Sequence, residues 1–280
     1  MKKTSKMLLV AIVCSLFAMP SMAQGVYVKV GAGYGLPAGT QTMFNYDQNY
    51  ETEVYKVDVI KYSYGKGLNF AGTFGGMFNK NIGAELGIGY LLGSKIESTS
   101  NLTALTTTTK STTTDNNKML FFVPTLVIES GFEKINPYAR IGLIVAFPKI
   151  TSKDEATVTS AFSQTSLKTV EVTEYKMDLG LGANAALGIL FNVSDNFAIF
   201  GECNINALSI TPKSSEITES SSDGIDNLNS MTTSEKETVY ENSLTENPLN
   251  PPSEGEPSKS LKFKTPFSSV GANIGIKISF

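Results

Sequence analysis

Seven charged side chains fall within alternating stretches of small and apolar residues: Lys29, Glu85, Glu129, Arg140, Asp178, Glu202 and Lys277. Arg140 is the only arginine in the chain. Three bases against four acids is close to balance, which points to mutual pairing rather than to a field of one sign. Carboxylates such as Glu85 with Glu202 or Glu129 can also act as a general acid and base. Structural ion pairs perturb carboxylates just as well, so the pairing alone is no sign of catalysis. The chain has no histidine, which removes the usual base for a serine nucleophile. Two cysteines in the whole chain make no zinc cluster. No catalytic residue, no metal site and no cofactor is expected.

The elements that must carry these charges follow from the pattern along the chain. Its start reads as an export signal: MKKTSK is basic, Met7 to Met19 is apolar, and Ser21-Met22-Ala23 is a small-x-small cleavage site. The expected cut between Ala23 and Gln24 gives a signal peptide over 1–23 and one domain over 24–280. It removes three of the 23 bases, Lys2, Lys3 and Lys6, and leaves all 26 acids. Cys14 follows Val13, which is too large for a lipobox, so Cys203 is left as a lone thiol with no disulfide partner. A near-even charge balance offers no footing for nucleic acid.

Beyond the leader no apolar run reaches the roughly 20 residues of a membrane helix, but strands that cross a bilayer need only about 9–11. Eight alternating segments are predicted: Val26–Gly35, Gly67–Phe78, Ile82–Leu92, Met119–Ser130, Pro137–Phe147, Lys176–Phe191, Phe197–Ile210 and Phe267–Phe280. A mean hydropathy of −0.02 conceals them, because alternation averages out. Short turns at Asn79–Asn81, Gly131–Asn136 and Asn192–Asn196 alternate with long connections at Leu36–Lys66, Gly93–Lys118, Pro148–Tyr175 and Thr211–Pro266. An even count places both ends of the domain on the short-turn side.

One face of the segments is apolar and uncharged throughout, as in Val26, Val28, Val30, Leu68, Phe70, Phe74, Ile141, Leu143, Leu187 and Ile189. Cys203 belongs to this face as a small apolar filler. Tyr34, Tyr90 and Phe147 gather at one end, and Phe78, Phe191, Phe197 and Phe280 at the other, like two interfacial girdles. The opposite face is rich in glycine and holds all seven charges. Eight strands closed into a barrel leave a lumen just wide enough for side chains, and the glycines are expected to make room for the long charged ones. The expected fold is all-β: an eight-stranded antiparallel up-and-down transmembrane β-barrel with long extracellular loops and short periplasmic turns. A secreted β-sandwich also alternates, but its solvent face would carry Thr, Lys and Glu in place of glycine.

GVYVKVGAGYG after the leader and VGANIGIKISF at the end resemble the first and last strands of small bacterial outer-membrane β-barrel proteins, in the OmpA/OmpX-like size class of Bacteroidetes-type barrels. The resemblance covers the whole mature chain and implies a place in the bacterial outer membrane. It implies that Ile276, Ile278 and Phe280 form a C-terminal signal for the barrel-assembly machinery. The peptidoglycan-binding tail of some relatives is not expected.

Two readings of the lumenal charges remain open. Lys29, Glu85, Arg140, Glu202 and Lys277 lie near one level and form either a plug that fixes register or a gate for small solutes. Inward Phe121, Val123 and Val127 make one wall apolar, which admits a conduit for apolar molecules. The loops carry the remaining individuality. Thr99–Thr114 is polar, of low complexity and without a core-forming pattern. Glu53–Tyr64 and Ala156–Tyr175 alternate and can extend strands outward or add a hairpin. The stretch Lys213–Lys262 has ten acids and four bases, suited to a solvated surface, to a host or cell-surface ligand, or to cation bridging with lipopolysaccharide. The expected partners are outer-membrane lipid and lipopolysaccharide, the assembly machinery, and a ligand of the loops. The expected role is structural, adhesive or in surface display.

Overall fold

The computed structural model describes residues 25–163, 165–244 and 253–280. The signal peptide, its Ala23–Gln24 junction and most of NPLNPPSEGEP lie outside the described residues. In chain order the strands are β1 (Gly25–Pro37), β2 (Gln41–Asn49), β3 (Val54–Tyr62), β4 (Gly67–Met77), β5 (Ile82–Gly93) and β6 (Ile96–Ala104). Next come β7 (Thr107–Glu129), β8 (Ile135–Ser160), β9 (Ser166–Met177), β10 (Gly180–Asn192), β11 (Phe197–Ala207) and β12 (Ser209–Ile210). The last are β13 (Pro212–Ser222), β14 (Ile225–Asp226), β15 (Glu237–Glu241), β16 (Ser258–Leu261), β17 (Thr265–Pro266) and β18 (Ser269–Ser279). A four-residue helix, α1 (Thr233–Lys236), precedes β15.

The chain is all-β and mostly antiparallel. From β1 the pairings run through β4, β5, β7, β8, β10, β11 and β18 and return to β1. The Phe280 backbone N–H donates to the Val26 carbonyl at 2.9 Å and extends the pairing of β18 with β1. Side chains of alternate residues point to opposite faces, and the faces are inverted relative to a soluble sandwich. Leu187, Ile274 and Ile141 are among the apolar side chains turned outward, at 70%, 67% and 65% exposure, while Lys29 and Glu85 are buried at 4% and 3%. A continuous exposed apolar belt of this kind is a surface for lipid.

Short-turn chemistry is local. The Asn79 carboxamide accepts from the backbone N–H groups of Asn81 and Ile82 at 2.9 and 2.8 Å, the self-capping for which asparagine is favoured in turns. Gly131, at φ +78°, supplies the left-handed residue of the β7–β8 turn. Pro124, without an N–H, interrupts the β7–β8 ladder between Phe122↔Val145 and Thr125↔Gly142 but keeps its register.

The long connections are not loops. Above the belt β7 and β8 continue as one ladder to Thr107↔Ser160, and β6, β2 and β3 extend it on one side, β9, β13, β15 and β16 on the other. Thr99–Thr114, polar and without a core-forming pattern, forms the β6–β7 hairpin from Ile96↔Asp115 to Ala104↔Thr107. The reason is β-branching: threonine suits a pleated surface and pairs across strands without needing a core. Ala156–Tyr175 completes the β8–β9 hairpin in this outer sheet. Two predicted strands end early. Lys176–Phe191 divides at Asp178 between β9 and β10, and Phe197–Ile210 breaks at Leu208, which turns inward at 3% exposure.

Candidate functional site

The lumen is built in levels. Nearest the short turns, Lys277 Nζ lies 2.8 Å from Glu129 Oε1 and Asn136 Nδ2 donates to Glu129 Oε2 at 2.8 Å. The Lys277 ammonium also sits 4.0 Å from the centre of the Tyr27 ring. Lys29 and Lys277 are direct cross-strand partners, a like-charge arrangement that disfavours pairing. Each lysine is drawn to a different carboxylate, which relieves the repulsion.

One level further in, Glu85 and Glu202 share Arg140. Its guanidinium donates to Glu85 Oε2 at 3.0 Å and to Glu202 Oε1 at 2.5 Å. Lys29 Nζ and Tyr27 Oη both donate to Glu85 Oε1, at 3.1 and 2.8 Å. Tyr138 Oη and Asn273 Nδ2 complete Glu202 at 2.7 and 3.0 Å. The Glu85 and Glu202 side chains are 1% and 2% exposed and Arg140 11%, so these charges have left water and persist only because each is hydrogen-bonded on several sides.

Six of the seven predicted charges therefore meet in the lumen, in two groups bridged by Tyr27, which bonds Glu85 and lies under Lys277. Asp178 does not. Its carboxylate pairs with Lys262 and accepts from Thr211 Oγ1 at 2.9 Å at the outer rim. Burial pushes this carboxyl up, but the bonds from Lys262 and Thr211 outweigh it and hold it below the usual range. The parity argument failed for Asp178 because the strand it was assigned to ends at Met177, so no alternation reaches it.

Tyr27, Tyr138, Asn136 and Asn273 were missed, although Tyr27 shares parity with Lys29 and Tyr138 with Arg140. The glycines serve these rings rather than the long charged chains. A Cβ on Gly75 would lie 2.6 Å from the Tyr27 ring, and one on Gly188 would collide with Tyr138. Gly31 and Gly275 leave space for Phe200 in the same way.

Outward of the ion pairs, Asn184, Asn206 and Ser269 form a polar belt, linked at 2.7 and 3.2 Å. It borders a cavity of about 80 Å³ that reaches from Arg140 to Phe267. Beyond it, towards the outer sheet, lies an apolar cluster. Leu91, Met119, Val123 and Ile144 from the wall pack with Tyr64, Leu208, Ile210 and Phe267. Tyr64 and Phe267 stack with ring centres 5.4 Å apart, and Ser63 Oγ donates to the Ser268 carbonyl at 2.6 Å, tying the two rim segments across the mouth. Of the expected greasy wall, Phe121 and Val123 join this apolar cluster, whereas Val127 packs separately with Tyr138, Leu190, Ala198 and Phe200.

Outward apolar side chains, inward charges and a ladder that returns to its first strand agree with the family match. The model of the outer membrane protein beta-barrel domain matches residues 8–234. The chain belongs to this family. It is accordingly a protein of the bacterial outer membrane. No curated protein matches it. Among solved structures it is similar to the outer membrane protein OprG from Pseudomonas aeruginosa, at 12% identity over 92% of this chain and 97% of that one, with a TM-score of 0.44. It is also similar to CarO2 from Acinetobacter baumannii, at 12% identity over 92% and 100%, TM-score 0.34. A third is Ail, the attachment invasion locus protein of Yersinia pestis, at 12% over 91% and 97%, TM-score 0.29.

Proposed function

We propose that this family member is an eight-stranded transmembrane barrel whose lumen is a plug and whose function lies in the β-sheet it holds outside the cell. The observation that carries this reading is the pair of seals: a buried ion-pair network below and a roofed apolar cluster above, with a cavity of only about 80 Å³ between them. The charges then serve as fixed internal pairs, and Cys203 and the carboxylates have no catalytic part. In this reading residues 1–23 are a cleaved signal, the apolar belt meets lipid and lipopolysaccharide, and Ile276, Ile278 and Phe280 engage the assembly machinery.

Adhesion or surface display is supported by the outer sheet. Strands of 23 and 26 residues, β7 and β8, run far past the length a bilayer needs. The sheet ends on β3, whose free edge carries Val54, Tyr55, Val57 and Val59 in exposed positions. An open edge with apolar side chains suits an extended segment of a host or cell-surface protein, added as a further strand. A narrow channel is the alternative, favoured by the polar belt between the seals. Single-channel conductance of the refolded mature protein in planar bilayers separates the two. Silence from a barrel with a heat-modifiable gel shift is expected, and stable conductance steps would overturn the plug.

A further inference from the structure

Asp115 is the one buried carboxylate, among the described residues, with no basic partner. It is 7% exposed, while Glu85, Glu129 and Glu202, the other buried carboxylates, each lie against Lys or Arg. Its Oδ2 accepts from Tyr64 Oη at 2.5 Å, and a single neutral donor leaves most of the charge uncompensated. A buried charge without a counter-ion is expensive, so the partner of this one is expected to come from outside the chain.

The surroundings say what that partner is. Asp115 lines a cavity of about 290 Å³ on the inner face of the outer sheet, just beyond the apolar seal. Tyr62, Tyr64 and Tyr175 wall it, Asp154 is also in its lining, and no Lys or Arg lines it. Thr265 adds an acceptor: its Oγ1 is buried without any hydrogen-bond partner, in a residue 4% exposed. Burial first, with the Asp115 carboxylate adding to it, raises the phenols of Tyr62 and Tyr64. An anion is repelled. A calcium ion needs six to eight oxygens, and no group of carboxylates among the described residues is placed to supply them. Aromatic faces and a carboxylate together favour an organic cation, by cation–π attraction and a charge-assisted bond.

We propose that this cavity is a binding site for a small alkylammonium ligand, with its charged nitrogen between Asp115 and Thr265 and its methylenes against Tyr62 and Tyr175. A diammonium chain places its second nitrogen at Asp154. The volume, at the small end of ligand pockets, which start at roughly 300 Å³, suits a ligand of a few heavy atoms. The site stands apart from the lumenal charges and is independent of whether the barrel conducts.

The test is calorimetric titration of the refolded mature protein with 1,4-diaminobutane, with 1,4-butanediol as the neutral counterpart and magnesium chloride as competitor. Saturable one-site binding of the diamine is expected, weakened at least tenfold in Asp115→Asn, whose carboxamide oxygen still accepts from Tyr64. Asp226→Asn, an exposed carboxylate outside the cavity lining, is expected to bind as the parent does. If Asp115→Asn does not fold, Tyr62→Leu, which keeps every charge, is expected to weaken binding several-fold. Equal binding of the diol, equal loss in Asp226→Asn, full displacement by magnesium at matched concentration, or unchanged affinity in the cavity variant that folds would each overturn the proposal.

Discussion

Removing Arg140 tests the lumenal network most directly. In Arg140→Met two charge-assisted hydrogen bonds are lost, and the carboxylates respond unequally. Glu85 keeps the Lys29 ammonium at 3.1 Å. Glu202 keeps only Tyr138 and Asn273, both neutral, and becomes a buried charge without a cation. Breaking a buried pair from one side costs about 3–5 kcal/mol, and two bonds at about 1.5–3 kcal/mol each give an overlapping range of about 3–6 kcal/mol. Most of the loss belongs to stranded Glu202, so Arg140→Met combined with Glu202→Gln should be less destabilised than the two single changes summed, by about 1.5–3 kcal/mol. The assay is urea unfolding in micelles, followed by tyrosine fluorescence and by the heat-modifiable band. Because the apolar seal is untouched, Arg140→Met should stay silent in planar bilayers. A loss under about 1 kcal/mol together with strict additivity would refute the reading of Glu85–Arg140–Glu202 as one coupled unit.

Gly75→Ala places a methyl 2.6 Å from the Tyr27 ring and should cost about 1–3 kcal/mol by overpacking; unfolding that matches the parent would mean the ring has room to move. Tyr175 is pushed up to about 12, by burial first and then by Tyr240. The folded state therefore holds this proton more tightly. The stability it contributes is complete below the unfolded value near 10 and is lost as pH rises towards 12. An ultraviolet titration should show a late-ionising phenol that Tyr175→Phe removes, and a titration unchanged by that substitution would refute the assignment. Cys203 faces outward within the apolar belt, between Leu187 and Ala272 in register. In vesicles it should resist a membrane-impermeant maleimide and react once urea unfolds the barrel; rapid labelling of the folded protein would place it in water.

The membrane-crossing strands were legible because period-two alternation is a local property. Val26, Val28 and Val30 alternate with Tyr27, Lys29 and Gly31 whatever lies beside them, and a turn such as Asn79–Asn81 caps itself. Parity alone separated a lipid face from a charged face and placed six charges inward. The outer sheet was not legible from Thr99–Thr114, because low complexity hides pairing that depends on register with β7 rather than on burial. Asp178 was misassigned because a strand end is set by what pairs with it. Partners across the lumen were also beyond a linear reading: Arg140 on β8 reaches Glu85 on β5 and Glu202 on β11 only because the ladder, with β7 and β10 lying between these strands, curves all three onto one axis. The sequence by itself determined which residues form strands and which face of each is apolar, since both follow from neighbours along the chain. Only the tertiary structure decided that Tyr27 fills the space at Gly75, that Phe267 and Tyr64 roof the mouth, and that Asp115 is buried without a cation, since each is a contact between segments far apart in sequence.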